Sequence, residues 1–399
     1  MKKKIALALL MAAGSFASAQ TWTQKASLPD SGRFESGAFS VNNMGYVTTG
    51  RTAGTTFSKD LWQYDPVADL WTSKTDYPLG GRREQVCFTI GNKGYAGTGR
   101  NATVGNTEFY EYDPSNDTWT VRQNVGGVNR RDASGCSANG KGYIGTGQDP
   151  SNGANQTDWW EFDPALNAWS QMAVFPGTAR NAAQAIGLNG KCYFGLGRNG
   201  ANSYSDWYEF DPIGNTWTAK ASFPPGLRSE TVAFTIGPLG YVGTGFNAGN
   251  QLDFYSYDPV GNSWVAITSM GTARDEGIAF SAGGKGYVGL GSNAGALNDL
   301  WEYTPPNSID EHLFNATLSV FPNPAINDLF VQFILSQPST ISFLIYDVQG
   351  KLIMKKEDSK GSGSISQVID VSGIAAGEYL LNIKAGTVSV SRKILVLKK

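Results

Sequence analysis

The chain has 399 residues, of which 17 % are charged, 12 % aromatic and 49 glycine, with a formal charge of −2. This composition excludes a mainly helical or disordered chain and favours many short strands joined by tight turns. Residues 20–316 hold 20 basic and 28 acidic groups, a balance of −8. That balance argues against nucleic-acid binding, because neutralising phosphate needs a surplus of positive charge.

The chain opens with MKKKIALALLMAAGSFASAQ: three lysines, an apolar run, then Ala17-Ser18-Ala19. This pattern reads as a signal peptide over 1–19, too short to span a membrane. No later segment has the run of about 18 apolar residues that a spanning helix requires. The protein is expected to be exported and to have no transmembrane segment. Its three cysteines, Cys87, Cys136 and Cys192, lie in strand-like runs. The odd count is a weak basis for a disulfide framework, so buried free thiols are expected.

A repeat occupies residues 20–306. GNKGYAGTGR at 91–100 has counterparts at 41–51, 138–148, 188–198, 236–246 and 282–292. Each unit reads as four strands. The first two are joined by a Gly/Asn turn of the kind that suits two-residue hairpins. The third is aromatic, as in LWQYDP, WWEFDP and WYEFDP, and ends in an Asp-Pro turn at 65, 113, 163, 211 and 258. A tryptophan opens the fourth at 71, 119, 169, 217 and 264. Six such meanders predict an all-β fold, a six-bladed β-propeller. The sixth unit lacks a fourth strand after Trp301-Glu302-Tyr303, and Thr21-Trp22-Thr23-Gln24-Lys25 matches TWTAK at 216–220. The N-terminal strand is therefore expected to complete blade six and close the ring.

Beyond a linker at 307–316, residues 317–399 alternate apolar and polar positions, as at Phe343/Ile345 and Leu352/Met354, and predict a small Ig-like β-sandwich.

Two resemblances rest on these residues. The Gly-Tyr-x-Gly-x-Gly strand ends, with a tryptophan 24 residues after the tyrosine (Tyr95 to Trp119), resemble kelch repeats, with Thr-Gly or Leu-Gly in place of the usual double glycine. FPNPAIND at 321–328, LIYDVQGKLIMKK at 344–356, GIAAGEYLLNIKAG at 373–386 and the lysine-rich end resemble the C-terminal sorting domain of type IX secretion cargo. The second resemblance implies a Gram-negative source, the type IX machinery as a partner, and a secreted or outer-membrane surface-attached product. The first implies a propeller fold and leaves function open, since kelch propellers include enzymes, adaptors and binders.

Chemistry is expected where strand one starts and strand two ends. An Arg-x-acid pattern recurs at Arg33/Glu35, Arg82/Glu84, Arg130/Asp132, Arg228/Glu230 and Arg274/Glu276, and blade four departs from it with Arg180 and Ala182. Strand two ends in Arg51, Arg100, Gln148, Arg198, Phe246 and Ser292, and Arg83 and Arg131 add to blades two and three. One account is a set of ion pairs between neighbouring blades. The other is a guanidinium-rich mouth for carboxylates or sugar hydroxyls, with Arg180, lacking its local acid, free to face a ligand. The ligand-binding candidates are Arg33, Arg51, Arg82, Arg83, Arg100, Arg130, Arg131, Arg180, Arg198, Arg228, Phe246 and Arg274.

No metal or cofactor is expected. The single histidine, His312, lies in the linker, so the two histidines that kelch-type copper oxidases need are missing. Zinc spacing, a Ser-His-Asp set and a phosphate loop are likewise missing. The favoured function is a secreted binding protein for a glycan, acidic sugar or peptide. The alternative, implied by bacterial kelch propellers that interconvert anomers of sialic acid, is a metal-independent mutarotase. Glu84, Glu230 or Glu276 would serve there as general acid–base, and an isolated carboxylate would mark the catalytic one.

Overall fold

The alternation of the inner strands decides the architecture. Gly37–Val41, Val86–Ile90, Ser134–Ala138, Val232–Ile236 and Ile278–Ala282 each alternate buried and half-buried residues. The strand that follows in each unit, such as Lys93–Gly97, is buried along nearly its whole length. A strand covered on both faces needs a sheet packed on each side, which radial repetition supplies. The computed structural model describes residues 21–305, apart from 55 and 102–104, and residues 317–398, apart from 336–338, 362 and 386–387. The expected signal peptide and linker lie outside the described residues.

Six four-stranded antiparallel sheets follow one another, the first five running in chain order from inner to outer strand. Blade one comprises Gly37–Val41, Met44–Thr48, Leu61–Asp65 and Leu70–Lys74. The inner strand of each blade packs on that of the next, and blade six packs on blade one. Thr21–Lys25 is the outer strand of blade six, paired antiparallel with Leu300–Thr304 from Thr21↔Thr304 to Lys25↔Leu300.

The repeated residues hold neighbouring blades together. Each outer-strand tryptophan donates its indole N–H to a carbonyl of the preceding blade. Trp71 reaches Ala26 at 2.8 Å, Trp119 reaches Thr75 at 2.9 Å and Trp169 reaches Gln123 at 2.9 Å. Trp217, Trp264 and Trp22 make the same bond to Ala173, Ala221 and Thr268. The N–H of the same acceptor residue returns a bond to the Asp or Asn of the turn, as Ala26 does to Asp69 and Ala173 to Asn215. Inside, the glycine before the repeat tyrosine permits close packing in five blades, and blade four has Cys192 at that position. A Cβ on Gly94 would lie 2.1 Å from the Phe39 ring.

The cysteines correct an expectation. Cys136 and Cys192 form a disulfide across 56 residues, joining the inner strand of blade three to the second strand of blade four, and Cys87 alone is a free thiol. The sequence did not reveal this because the pair is set by the packing of two blades, with Cα atoms 6.1 Å apart.

The second compact unit, 305–399, is a sandwich of two antiparallel sheets. One contains Ser319–Phe321, Asp328–Leu335 and Gly363–Asp370, and the other Ser339–Asp347, Leu352–Lys360, Gly377–Ala385 and Val388–Val396. Leu329, Val331, Phe333 and Leu335 point inward at alternate positions onto Phe343, Ile345, Leu381 and Ile383. Leu352 differs from the alternation read in the sequence: it is exposed on the edge strand of its sheet.

Candidate functional site: the axial mouth

The three residues before each inner strand divide three tasks among them. The first is always arginine, and it is buried. Arg33, Arg82, Arg130, Arg180, Arg228 and Arg274 are no more than 3 % exposed. Each donates to the carbonyl sixteen residues on, as Arg130 does to Thr146 at 3.1 Å and Arg82 to Thr98 at 3.2 Å. Five also grip an aspartate that opens strand three of their own blade: Arg33–Asp60, Arg130–Asp158, Arg180–Asp206, Arg228–Asp253 and Arg274–Asp299. Arg180 is therefore not free. Asp206 takes both its terminal nitrogens, at 2.5 and 2.8 Å, and its guanidinium stacks 4.0 Å over Tyr204. Such fork-on-carboxylate pairs hold strand one to strand three. They explain the arginines without a ligand, and pair them within the blade rather than between blades. A signal for these partners was present in the sequence, since an acid precedes every aromatic third strand, at 60, 108, 158, 206, 253 and 299.

The third residue faces the axis. Glu35, Glu84, Asp132, Ala182, Glu230 and Glu276 have φ between 49° and 61°, a left-handed conformation that non-glycine residues rarely adopt. Their backbones join around the mouth. Glu84 N–H donates to Glu35 O at 2.9 Å, Ala182 to Asp132 at 3.0 Å, Glu230 to Ala182 at 3.0 Å, Glu276 to Glu230 at 3.2 Å and Glu35 to Glu276 at 3.0 Å. Strained backbone maintained in this way concentrates at functional sites. Five carboxyls so placed enclose a cavity of about 150 Å³. Below it an axial channel of about 220 Å³ runs between the inner strands.

Burial, and then crowding among themselves, raises the proton affinity of these acids. Burial, then the neighbouring Glu84, pushes Glu35 up to about 7 against the pull of Arg83. Burial and Glu84 push Asp132 up to about 8. Burial, with Glu35 and Glu230 nearby, pushes Glu276 up to about 9. Burial also raises Glu230, opposed by Arg198.

The middle residue and the end of strand two form the rim. Arg83 exchanges backbone bonds with Arg100, Arg131 with Gln148, Asn181 with Arg198, Ser229 with Phe246 and Asp275 with Ser292. Arg83 bonds Glu35 of the preceding blade. Three guanidinium groups gather on the Glu84 carboxylate: Arg100 at 2.9 Å, and Arg83 and Arg131 at 3.4 Å. Arg198 reaches Glu230 at 2.7 Å. Arg51 stacks 5.5 Å from the Phe34 ring. Phe246 is 39 % exposed on blade five.

Of the three acids proposed for proton transfer, Glu84 and Glu230 are thus ion-paired. Among the described residues no basic side chain forms an ion pair with Glu276. The described residues contain no group of three or more His, Cys, Asp and Glu side chains arranged to hold a metal ion.

Comparison with known proteins bears on both units. Residues 319–397 match the family described as the secretion system C-terminal sorting domain. That match marks the chain for export by type IX secretion to the cell surface or the extracellular space. No helix among the described residues is long and apolar enough to cross a membrane. Among solved structures, that of YjhT matches with a TM-score of 0.59 at 17 % identity, over 68 % of this chain and 95 % of its own. The likeness is one of fold, an all-β propeller. No curated protein matches the sequence.

Proposed function

We propose that the propeller is an extracellular binding protein whose axial mouth takes a small carboxylate-bearing ligand of the acidic-sugar class. The observation that carries this reading is the gathering of Arg83, Arg100 and Arg131 on the single carboxylate of Glu84. Blades two to four set four rim arginines, Arg83, Arg100, Arg131 and Arg198, against two axial acids, Glu84 and Asp132, with Arg83 shared between Glu84 and Glu35 of blade one and Arg131 between Glu84 and Asp132. The rim of blades two to four therefore carries surplus positive charge in a partly desolvated cavity, where bidentate donors favour carboxylate over neutral sugar. In this reading the repeat is of the kelch type, the leader at 1–19 starts export and the tail completes it. The deciding experiment is calorimetric titration with glucuronate, N-acetylneuraminate and glucose. Both acids should bind and glucose should not, with the affinity falling as salt rises. Equal affinity for glucose and the acids would remove the reading.

A second reading, proton transfer at the anomeric centre of such a sugar, is favoured by Glu276 alone. Its carboxyl is in the mouth, lacks an ion pair among the described residues and is pushed up to about 9, so it keeps a proton to give. Proton NMR of freshly dissolved N-acetylneuraminate would follow anomer equilibration. Acceleration by the wild type and none by Glu276→Gln is expected on this reading, and no acceleration by the wild type would leave binding alone.

A further inference from the structure

Blade four breaks the axial ring of acids, and only its side chain breaks it. Ala182 keeps the left-handed backbone of its counterparts, with φ of 50°. Its N–H donates to Asp132 O and its carbonyl accepts from Glu230 N, both at 3.0 Å. One carboxylate is missing, at one angular position.

Blade two shows what surrounds such a carboxylate when it is present. Glu84 receives Nε and Nη2 of Arg100, from its own blade, at 2.9 and 3.2 Å. Arg131, from the following blade, reaches back to it at 3.4 Å. Blade four retains the first of these partners. Arg198 is the counterpart of Arg100 and makes the same two-way backbone exchange, with Asn181 at 2.9 Å in each direction. With no acid on its own blade it turns to Glu230 of blade five, and its side chain is 39 % exposed against 24 % for Arg100. At the place of Arg131, blade five carries Ser229. That residue is 1 % exposed, and its Oγ has no hydrogen-bond partner among the described residues. Buried polar groups left unpaired are uncommon and costly. Arg198, without an own-blade acid and paired instead to Glu230 of the mouth, thus stands beside the gap at Ala182.

We propose that the ligand's carboxylate enters the gap at Ala182 and takes on Arg198 the bidentate place that Glu84 takes on Arg100, so that bound ligand supplies the sixth carboxylate of the ring. The inference rests on the mouth being a site for acidic sugars, and adds where and how the acid group is held. It makes Ala182 a specificity-determining residue: a carboxylate on the chain itself would occupy the site permanently. Phe246, fixed beside Ser229 by backbone bonds of 2.8 and 3.2 Å, then offers its exposed ring to the apolar face of the sugar.

The test is calorimetric titration of the mature full chain with glucuronate and with N-acetylneuraminate, using Ala182→Glu and Asn293→Glu. The second variant places the same charge on an exposed loop of blade six. Ala182→Glu is expected to weaken binding of both acids about tenfold or more, and Asn293→Glu about twofold or less. Ala182→Glu within about twofold of the wild type, or Asn293→Glu losing as much as Ala182→Glu, overturns the inference while leaving the mouth as the site. Wild type that binds neither acid better than glucose removes the mouth reading and the inference together. If Ala182→Glu lacks the near-ultraviolet dichroism of the wild type, Arg198→Gln and Arg100→Gln decide. The larger loss is expected from Arg198→Gln, and an equal or larger loss from Arg100→Gln overturns the inference.

Discussion

At the scale of the residue, arginines that look alike in sequence do different work. Arg274 and Arg83 both precede an inner strand. The first is fully buried and bidentate on Asp299, whereas the second is on the rim, bonded to Glu35. Removing Arg274 would leave Asp299 largely buried without its cation, so Arg274→Ala is expected to cost about 3–5 kcal/mol in urea unfolding. The axial acids make a pH prediction whose sign follows from their direction. Glu35, Asp132 and Glu276 are raised to about 7, 8 and 9, whereas unfolded carboxyls titrate near roughly 4. The folded chain holds these protons more tightly than the unfolded one. Their contribution is fully present below the unfolded values and is lost as pH rises through 7 to 9. Tm should therefore fall between pH 5 and pH 9. Glu276→Gln, neutral throughout, should leave Tm unchanged at pH 5 and raise it by several degrees at pH 9. An unaltered slope by calorimetry would contradict the burial of that carboxyl.

At the scale of the element, ring closure depends on the strand Thr21–Lys25, which lies 275 residues or more from its partner strand in sequence. Trp22 fixes it, with an indole bond to Thr268 at 2.8 Å and ring contacts to Phe254 at 4.9 Å and Tyr303 at 5.1 Å. Trp22→Ala is expected to destabilise the propeller by about 3 kcal/mol, through lost aromatic packing and the lost indole bond. The equivalent change at Trp217 should cost at least as much, because that side chain is enclosed by Trp159, Phe175 and Phe210. The disulfide acts between elements. Closing a loop of 56 residues restricts the unfolded chain by about 4 kcal/mol on the loop-entropy account. Cys136→Ala/Cys192→Ala should lower Tm, and reductant should lower the wild type to match while leaving the double variant unmoved.

At the scale of the whole molecule, each of the two compact units has its own buried core. Deleting 317–399 is therefore expected to stop delivery to the cell surface, while the thermal transition of residues 20–305 persists. Cell fractionation and calorimetry read the two outcomes separately, and surface delivery of the truncated chain would remove the tail's role. A disulfide within a propeller marked for export fits the oxidising compartments in which such bonds last.

The repeat was legible because its signals are local. Strand alternation, the Asp-Pro turns and the opening tryptophans each lie within a few residues, and a register once set recurs in every unit. The closing strand was legible for the same reason, since Thr21–Lys25 carries the fourth-strand pattern without its blade. The candidate site was legible only as a list of residues. Sequence placed Arg180 beside a missing acid, but not Asp206 within its reach, because that contact joins strands 26 residues apart. It listed Cys136 and Cys192 without pairing them. It could not separate the buried arginines from Arg83, Arg100, Arg131 and Arg198, since exposure depends on which way each side chain leaves a ring that six blades build together. The sequence alone determined the blades, their number and the closing strand, through short-range pattern. Only the tertiary structure decided which charges meet at the axis, because those neighbours are set by packing between units.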